Sequence, residues 1–339
     1  MNRVLKKKQA VATLIFAVSG LSLFHGRAYA DDCSYEDFGK FLTTFSGVAE
    51  TQKRFTATTV TASVLKPKAQ SDQFAPAITG VASADLAFPL ITPITSGKAE
   101  GVAIEEVDDR HINVVDKRAG NSNIKIFKFS REACWVFEGI EDWSIHEKDL
   151  LASSKPGMSR AENYCFQRGK AYASLAGAGQ YSLTGELFEA ALENYICAAT
   201  SGDPQASLEA ASLSLSGMAP QLETAKVEAL LKTAATTLAD GAAALSTFYC
   251  YGNTSVAEGN CQHPDRAEKE LIRAASMGSA DATNYLGYIF EQGEWETKDL
   301  SRAMACYRLA ADKGNQVAAT NFQRLKTQAV GTTTASACY

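Results

Sequence analysis

The sequence predicts an α+β domain followed by an all-α helical-repeat solenoid. Three observations carry this expectation. Short runs rich in β-branched and aromatic residues, bounded by Gly, Asn, Asp and Ser, fill the first half, as antiparallel strands and turns do. Alanine pairs recur at Ala198-Ala199, Ala234-Ala235, Ala274-Ala275 and Ala310-Ala311, at spacings of 36, 40 and 36 residues. A near-constant period of this length marks stacked helical units. Eight cysteines, an even number, are spread over both halves, which suits a disulfide-braced chain in an oxidising compartment.

The first thirty residues have the pattern of a secretory leader. Lys6, Lys7 and Lys8 precede an apolar stretch from Val11 to Leu23, and Ala28-Tyr29-Ala30 supplies a small-x-small cleavage pattern. The apolar run is short for a membrane anchor, and Asp31 and Asp32 before Cys33 do not fit a lipobox. The expected product is periplasmic, unanchored and cleaved after Ala30. Removing Arg3, Lys6, Lys7, Lys8 and Arg27 with the leader leaves 28 Lys and Arg against 38 Asp and Glu, a net charge of −10. Such a balance argues against nucleic acid or anionic lipid as partners and suits a basic protein.

Residues 31–150 are assigned to the α+β domain. Tyr35, Phe38, Phe41, Leu42 and Phe45 fall at helical spacing and predict one amphipathic helix. Strands are expected over Thr56 to Val64, Gly101 to Glu106, His111 to Asp116, Ile124 to Phe129 and Cys134 to Phe137. The polar stretch from Lys66 to Ala84, with Pro67 and Pro76, is expected to be a long loop. Ser153-Ser154-Lys155-Pro156-Gly157 has turn chemistry and predicts a junction between the two parts.

The repeats are assigned to residues 161–326, in units 161–203, 205–240, 241–279 and 280–315 with a closing helix at 316–326. Residues 327–339 are expected to form a mobile tail. Small residues let paired helices approach. Tyr172, Tyr195, Phe248, Tyr285, Phe290 and Tyr307 are placed in the repeat cores. Gly202, Gly278 and Gly314 are expected to end the second helix of their units in the left-handed conformation. The unit 205–240 has Leu238 where its terminal Gly would stand.

Two family resemblances follow from these residues. Phe38-x-x-Phe41-x-x-x-Phe45, Gln52-Lys53-Arg54-Phe55 and Trp135-x-Phe137-x-x-Ile140-x-Asp142-x-Ser144 resemble NTF2-like domains, which implies a cone of helix and antiparallel sheet. The run Ala280 to Asn315 resembles a Sel1-like repeat, through Tyr285-Leu286-Gly287, Gly293, Asp299, Arg302-Ala303, Tyr307, Ala310-Ala311 and Gly314-Asn315. The unit from Ala161 to Asp203 keeps Gly169, Tyr172, Ala190-Ala191, Tyr195 and Gly202, and the two between are degenerate. Cysteine-rich relatives bridge their hairpins. The expected pairs here are Cys165 with Cys197, Cys250 with Cys261 around an insertion, Cys306 with Cys338 at the tail, and Cys33 with Cys134 between first helix and sheet. Cys197 lies two residues short of the family's usual partner position.

No sequence pattern of known chemistry stands out. His111, His146 and His263 are the histidines after the leader and none lies in a metal-ligand pattern. NTF2-like cones sometimes hold catalytic Asp and His, for which Asp109 with His111, or Asp142 with His146, are the candidates. Exposed loop residues near strand ends is the simpler reading of both pairs. No enzyme activity, cofactor or metal is expected. The Sel1-like resemblance implies protein binding, and exported members include adaptors and immunity proteins that neutralise type VI secretion toxins such as phospholipases and peptidoglycan hydrolases. The immunity reading is favoured here. A periplasmic adaptor or regulator of envelope assembly is the alternative, followed by an enzyme using the cone. Tyr181, Tyr251 and Trp295, outside the repeat-core pattern, are the expected partner-binding residues.

Overall fold

The computed structural model describes residues 37–69, 71, 73–95, 99–118, 124–151, 155–253, 260–295, 297–328 and 337–339. The expected leader, Cys33 and Tyr35 lie outside the described residues. Two helices open the described chain, α1 (Phe38–Gly47) and α2 (Ala49–Arg54), where one was expected. The break is at Val48, whose backbone is extended. Asp37 caps α1 by accepting from the Lys40 amide at 2.8 Å. Phe38, Phe41, Leu42 and Phe45 are buried, as their spacing requires. Gln52 is fully buried: its side-chain amide donates to the Ser46 and Ile91 carbonyls and accepts from the Leu90 and Ile91 amides. One side chain thereby ties the segment before the third strand to the helix pair.

Six strands form one sheet: β1 (Thr56–Pro67), β2 (Phe74–Ala82), β3 (Val102–Asp108), β4 (His111–Asp116), β5 (Lys125–Arg131) and β6 (Trp135–Asp142), in the order β2-β1-β6-β5-β4-β3. The expected antiparallel sheet is corrected to a mixed one, because β6 returns alongside β1 in parallel. The expected loop from Lys66 to Ala84 is also corrected. β1 runs on to Pro67 and β2 occupies Phe74–Ala82. β2 is an edge strand with a largely exposed face, and its apolar run is broken by Pro76 and Gly80. Its Pro76 is tolerable there because an edge strand has one unpaired side.

The helical part has four hairpins and a closing helix among the described residues. The hairpins are α3 (Arg160–Gly177) with α4 (Thr184–Ala199), α5 (Pro204–Leu215) with α6 (Thr224–Ala234), α7 (Ala239–Tyr251) with α8 (Pro264–Ser276), and α9 (Ala280–Gln292) with α10 (Leu300–Asp312). The closing helix is α11 (Gln316–Gln328). Ser159 and Glu162 form a reciprocal capping box that starts α3 straight after the turn at Pro156 and Gly157. Gly202, Gly278 and Gly314 have φ of 77°, 105° and 94°, a region costly for residues with a Cβ. Leu238, in place of such a glycine, is extended and becomes the N-cap of α7.

A repeated steric device joins the two helices of a unit. The residue three positions before each alanine pair is Tyr195, Leu231, Leu271 or Tyr307, and all four are buried. In the first and fourth hairpins the opposing residue is Gly169 or Gly287, where a Cβ would fall 2.7 Å from the Tyr195 or Tyr307 ring. In the second and third, with leucine, Ala210-Ala211 and Leu245-Ser246 stand where Leu286-Gly287 stands in the fourth. The Ser246 hydroxyl donates to the Ala267 carbonyl at 2.7 Å, and Ala211 is fully buried. A bulky aromatic ring thus goes with a bare backbone, and a smaller leucine goes with a small side chain.

The sheet and the solenoid share a core. Val114, Phe127, Phe129 and Phe137 point to α1, whereas Val115, Ile126, Leu65 and Phe74 pack with Tyr172, Leu175, Leu187 and Tyr195 of the first hairpin. The alternation of Val114 with Val115 and of Ile126 with Phe127 reflects a sheet buried on both faces. Polar contacts add direction to this junction. The Tyr172 hydroxyl donates to the Trp143 carbonyl at 2.7 Å, Arg168 Nε to the Ile145 carbonyl at 2.9 Å, and Lys117 pairs with Glu189 at 2.6 Å.

Candidate protein-binding surface

The residues nominated from sequence come to lie in two places. Tyr181, in the loop between α3 and α4, meets the Trp143 ring edge-on with centroids 5.1 Å apart, and its hydroxyl accepts from Gln180. It is half-buried at the junction of sheet and solenoid. Tyr251 and Trp295 lie together with two residues that the sequence reading did not nominate, Tyr285 and Tyr288.

Local backbone chemistry sets this patch. Ser279 caps α9 by accepting from the Ala282 amide at 3.1 Å. Gly293 closes the helix in the left-handed region and donates to the Ile289 carbonyl at 2.8 Å. The turn then presents Glu294 and Trp295, and Asp299 restarts the chain as the cap of α10. On α9, Tyr285 and Tyr288 are three residues apart and share a face. Their rings are 6.0 Å apart and nearly parallel at 10°. Trp295 stands edge-on to Tyr285 at 6.3 Å. Tyr251, the last residue of α7, reaches the same place from the neighbouring hairpin and adds to the charge effects on the Tyr285 phenol. The adjoining Cys250–Cys261 bridge fixes the end of α7.

Tyr285 is only half-buried, which corrects its expected place in the core, while Tyr172, Tyr195, Phe248, Phe290 and Tyr307 are buried as expected. Tyr288 is 41% exposed. Burial, with Tyr251 and Glu294 adding to it, pushes the Tyr285 phenol above its ordinary pKa. The charge of Glu294 does the same to the Tyr288 phenol. Both rings therefore stay neutral hydrogen-bond donors at physiological pH.

Beneath the patch is a buried ionic clasp. Glu291 accepts from the Tyr307 hydroxyl at 2.8 Å and from both Arg324 terminal nitrogens at 2.7 Å. Arg324 belongs to α11, so this bidentate pair locks the closing helix to the fourth hairpin. Its hydrogen bonds hold the Glu291 carboxyl below its ordinary range against the opposing cost of burial. Because the folded-state pKa is depressed, the clasp stabilises the fold fully above about pH 4.5 and is lost as pH falls through the folded value. Arg324→Ala is expected to cost about 2 kcal/mol at neutral pH, less than a fully buried pair because the arginine is partly exposed. Urea titrations from pH 7 to pH 3 check this, and the gap between the two proteins should narrow toward pH 3.

The pairs considered for catalysis are not assembled. His111 Nδ1 contacts Asp108 at 2.8 Å, not Asp109, in an exposed turn. The backbone N–H of Arg110 is the main cause of the lowered Asp108 pKa. Asp142 accepts from the Ser144 amide and pairs with Lys125 at 3.5 Å, and His146 is exposed. A cleft of about 590 Å³ lies between the β1–β2 end of the sheet and α3, lined in part by Phe74, Leu150, Phe166 and Lys170. Its polar residues serve the junction: Gln167 clasps the Leu151 backbone in both directions, and Lys155 pairs with Asp203 and lies over the Phe166 ring.

Three of the expected bridges are present among the described residues: Cys165–Cys197, Cys250–Cys261 and Cys306–Cys338. Cys134 is disulfide-bonded; its expected partner, Cys33, lies outside the described residues. Cys338 is 4% exposed and pinned against α10, so the end of the expected mobile tail is fixed there. Among the described residues no helix is long and apolar enough to cross a membrane.

No protein-family model matches the chain, and no curated protein is similar to it. Several solved structures are similar to part of the chain. A protective antigen of uropathogenic Escherichia coli displaying an SLR fold is 21% identical with a TM-score of 0.38, over 48% of this chain and 34% of that one. A Sel1 repeat protein from Oxalobacter formigenes is 18% identical with a TM-score of 0.37, over 51% and 76%. The Helicobacter pylori cysteine-rich protein B is 19% identical with a TM-score of 0.31, over 42% and 98%. The match thus spans about a third of the E. coli antigen's length.

Proposed function

We propose that this protein is an exported protein-binding scaffold and that its partner is a toxin delivered by type VI secretion, which it occludes as an immunity protein. The observation that carries the binding reading is the aromatic patch of Tyr251, Tyr285, Tyr288 and Trp295. Half-exposed aromatic rings held on rigid helices are typical interface anchors, since they supply contact area at small entropic cost. The toxin reading draws its support from the leader pattern, the acidic balance and the Sel1-like motifs. Disulfide bridges suit the same compartment. The mixed sheet with a helix pair on one face supports an NTF2-like assignment for the first part, which would act as a brace for the first hairpin and not as an enzyme.

Periplasmic expression of a toxin encoded beside this gene, with and without this protein, tests the reading. Growth should be rescued and the purified proteins should bind. Tyr288→Ala and Trp295→Ala are each expected to weaken binding about tenfold, measured by calorimetry, with thermal unfolding little changed for the exposed Tyr288. Failure to bind or protect would favour a periplasmic adaptor, and protection by chemical modification of the toxin would favour an enzyme.

A further inference from the structure

We propose that the aromatic patch is a receptor for an arginine side chain of the partner protein, which stacks on Tyr288 and pairs with Glu294. This rests on the protein-binding reading and gives the partner a chemistry.

The molecule contains a filled version of the same arrangement. In the third hairpin, Arg266 lies over the Tyr249 ring at 3.8 Å and donates to Glu228 at 2.7 Å. The Tyr249 hydroxyl donates to the same carboxylate at 3.3 Å. Ring, carboxylate and guanidinium thus form a closed triad. In the fourth hairpin Arg302 lies over Phe290, also at 3.8 Å. The planar guanidinium is suited to these sites, because it can stack on a π-face while its edge donates to a carboxylate.

Tyr288 and Glu294 repeat two parts of that triad. The Glu294 carboxylate lies close enough to the Tyr288 phenol to raise its pKa by its charge, Tyr288 is 41% exposed and Glu294 is exposed. Among the described residues no arginine or lysine lies over Tyr288 and none pairs with Glu294. The nearby Arg324 is committed to Glu291. Tyr285 stacks behind Tyr288 and holds its ring in place, and Trp295 closes one side. The face is therefore rigid, electron-rich and anionic, in a chain whose formal net charge is −5. Charge complementarity selects a cation, and the flat face beside a carboxylate selects arginine over lysine.

The test uses the full chain and two synthetic peptides, tetra-arginine amide and its citrulline counterpart, which keeps the planar urea shape without the charge. Binding is followed by tryptophan fluorescence and amide chemical shifts. The arginine peptide should bind saturably and move the signals of Tyr288 and Trp295, while the citrulline peptide should not. Glu294→Gln and Tyr288→Ala should each weaken the arginine peptide about fivefold or more, with Glu228→Gln in the filled triad as a control that leaves affinity unchanged. Equal binding of both peptides, or unchanged affinity in both patch variants, would overturn the proposal. The outcomes separate from those of the toxin experiment. Arginine binding at the patch without toxin binding removes the toxin partner and leaves the receptor, whereas toxin binding indifferent to Tyr288→Ala and Glu294→Gln removes the receptor.

Discussion

Gly169→Ala is expected to destabilise the protein by about 2–3 kcal/mol, although the same change in an exposed helix interior stabilises by about 1 kcal/mol. The sign reverses because of one neighbour. A Cβ at position 169 would lie 2.7 Å from the Tyr195 ring, and Tyr195 is 4% exposed, wedged in the core shared by sheet and solenoid. Neither helix can retreat, since Cys165–Cys197 bridges the same pair. The second and third hairpins indicate the compensation: with Leu231 and Leu271 in the place of the tyrosine, Ala211 and Ser246 stand at the small position. Tyr195→Leu should therefore recover more than 1 kcal/mol of the Gly169→Ala loss in a double-mutant cycle. Urea unfolding of the four proteins measures the coupling. Strict additivity of the two changes would show that the ring does not exclude the methyl group.

Replacing both Cys165 and Cys197 by serine is expected to cost about 3–4 kcal/mol, the loop-closure entropy of a 32-residue separation. The same treatment of Cys250 and Cys261, which are 11 apart, should cost about 3 kcal/mol. The effects should differ in kind. The first bridge joins two helices that face the sheet, so its loss should loosen the junction as well as the hairpin. The second holds an inserted loop next to Tyr251, so its loss should be felt at the patch while leaving the sheet untouched. Unfolding monitored by far-ultraviolet dichroism, with amide hydrogen exchange to locate the change, checks both. A loss below 1 kcal/mol for Cys165 and Cys197 would mean that packing alone fixes the first hairpin.

Much of the architecture follows from local patterns. The alanine period is a direct copy of helix packing, since close helix approach demands small residues at every crossing, and the structure gives hairpins at those positions. The strands β4 and β5 were legible because turn residues and β-branched runs coincide there. β2 was not legible. Its partner on one side is β1 and its other side is open, so its sequence carries Pro76 and polar neighbours that mark a loop elsewhere. The parallel pairing of β1 with β6 was also hidden, because strand direction depends on where the chain returns and not on the residues within either strand.

The candidate surface was half legible. Trp295 and Tyr251 stood out because they fall outside the repeat pattern. Tyr285 was assigned to the core because it occupies a repeat position. Tyr288, on the same helical face, gave a signal only by contrast: the corresponding face of α7 has Ala244 and Thr247. The edge-on contact of Tyr181 with Trp143, far from it in sequence, gave no signal in the sequence.

By itself the sequence determined the hairpin stack, its glycine terminators and the cysteine inventory, because each depends on residues within one helical turn or one repeat length. Only the tertiary structure decided that the sheet and the first hairpin share one core, that Tyr181 meets Trp143 at that junction, and that Tyr251, Tyr285, Tyr288 and Trp295 converge. Those outcomes depend on which apolar faces meet. The hydrophobic effect rewards any burial of such faces and has no direction of its own, so the choice among partners is made by shape and by a few directed contacts, such as the Tyr172 hydroxyl on the Trp143 carbonyl.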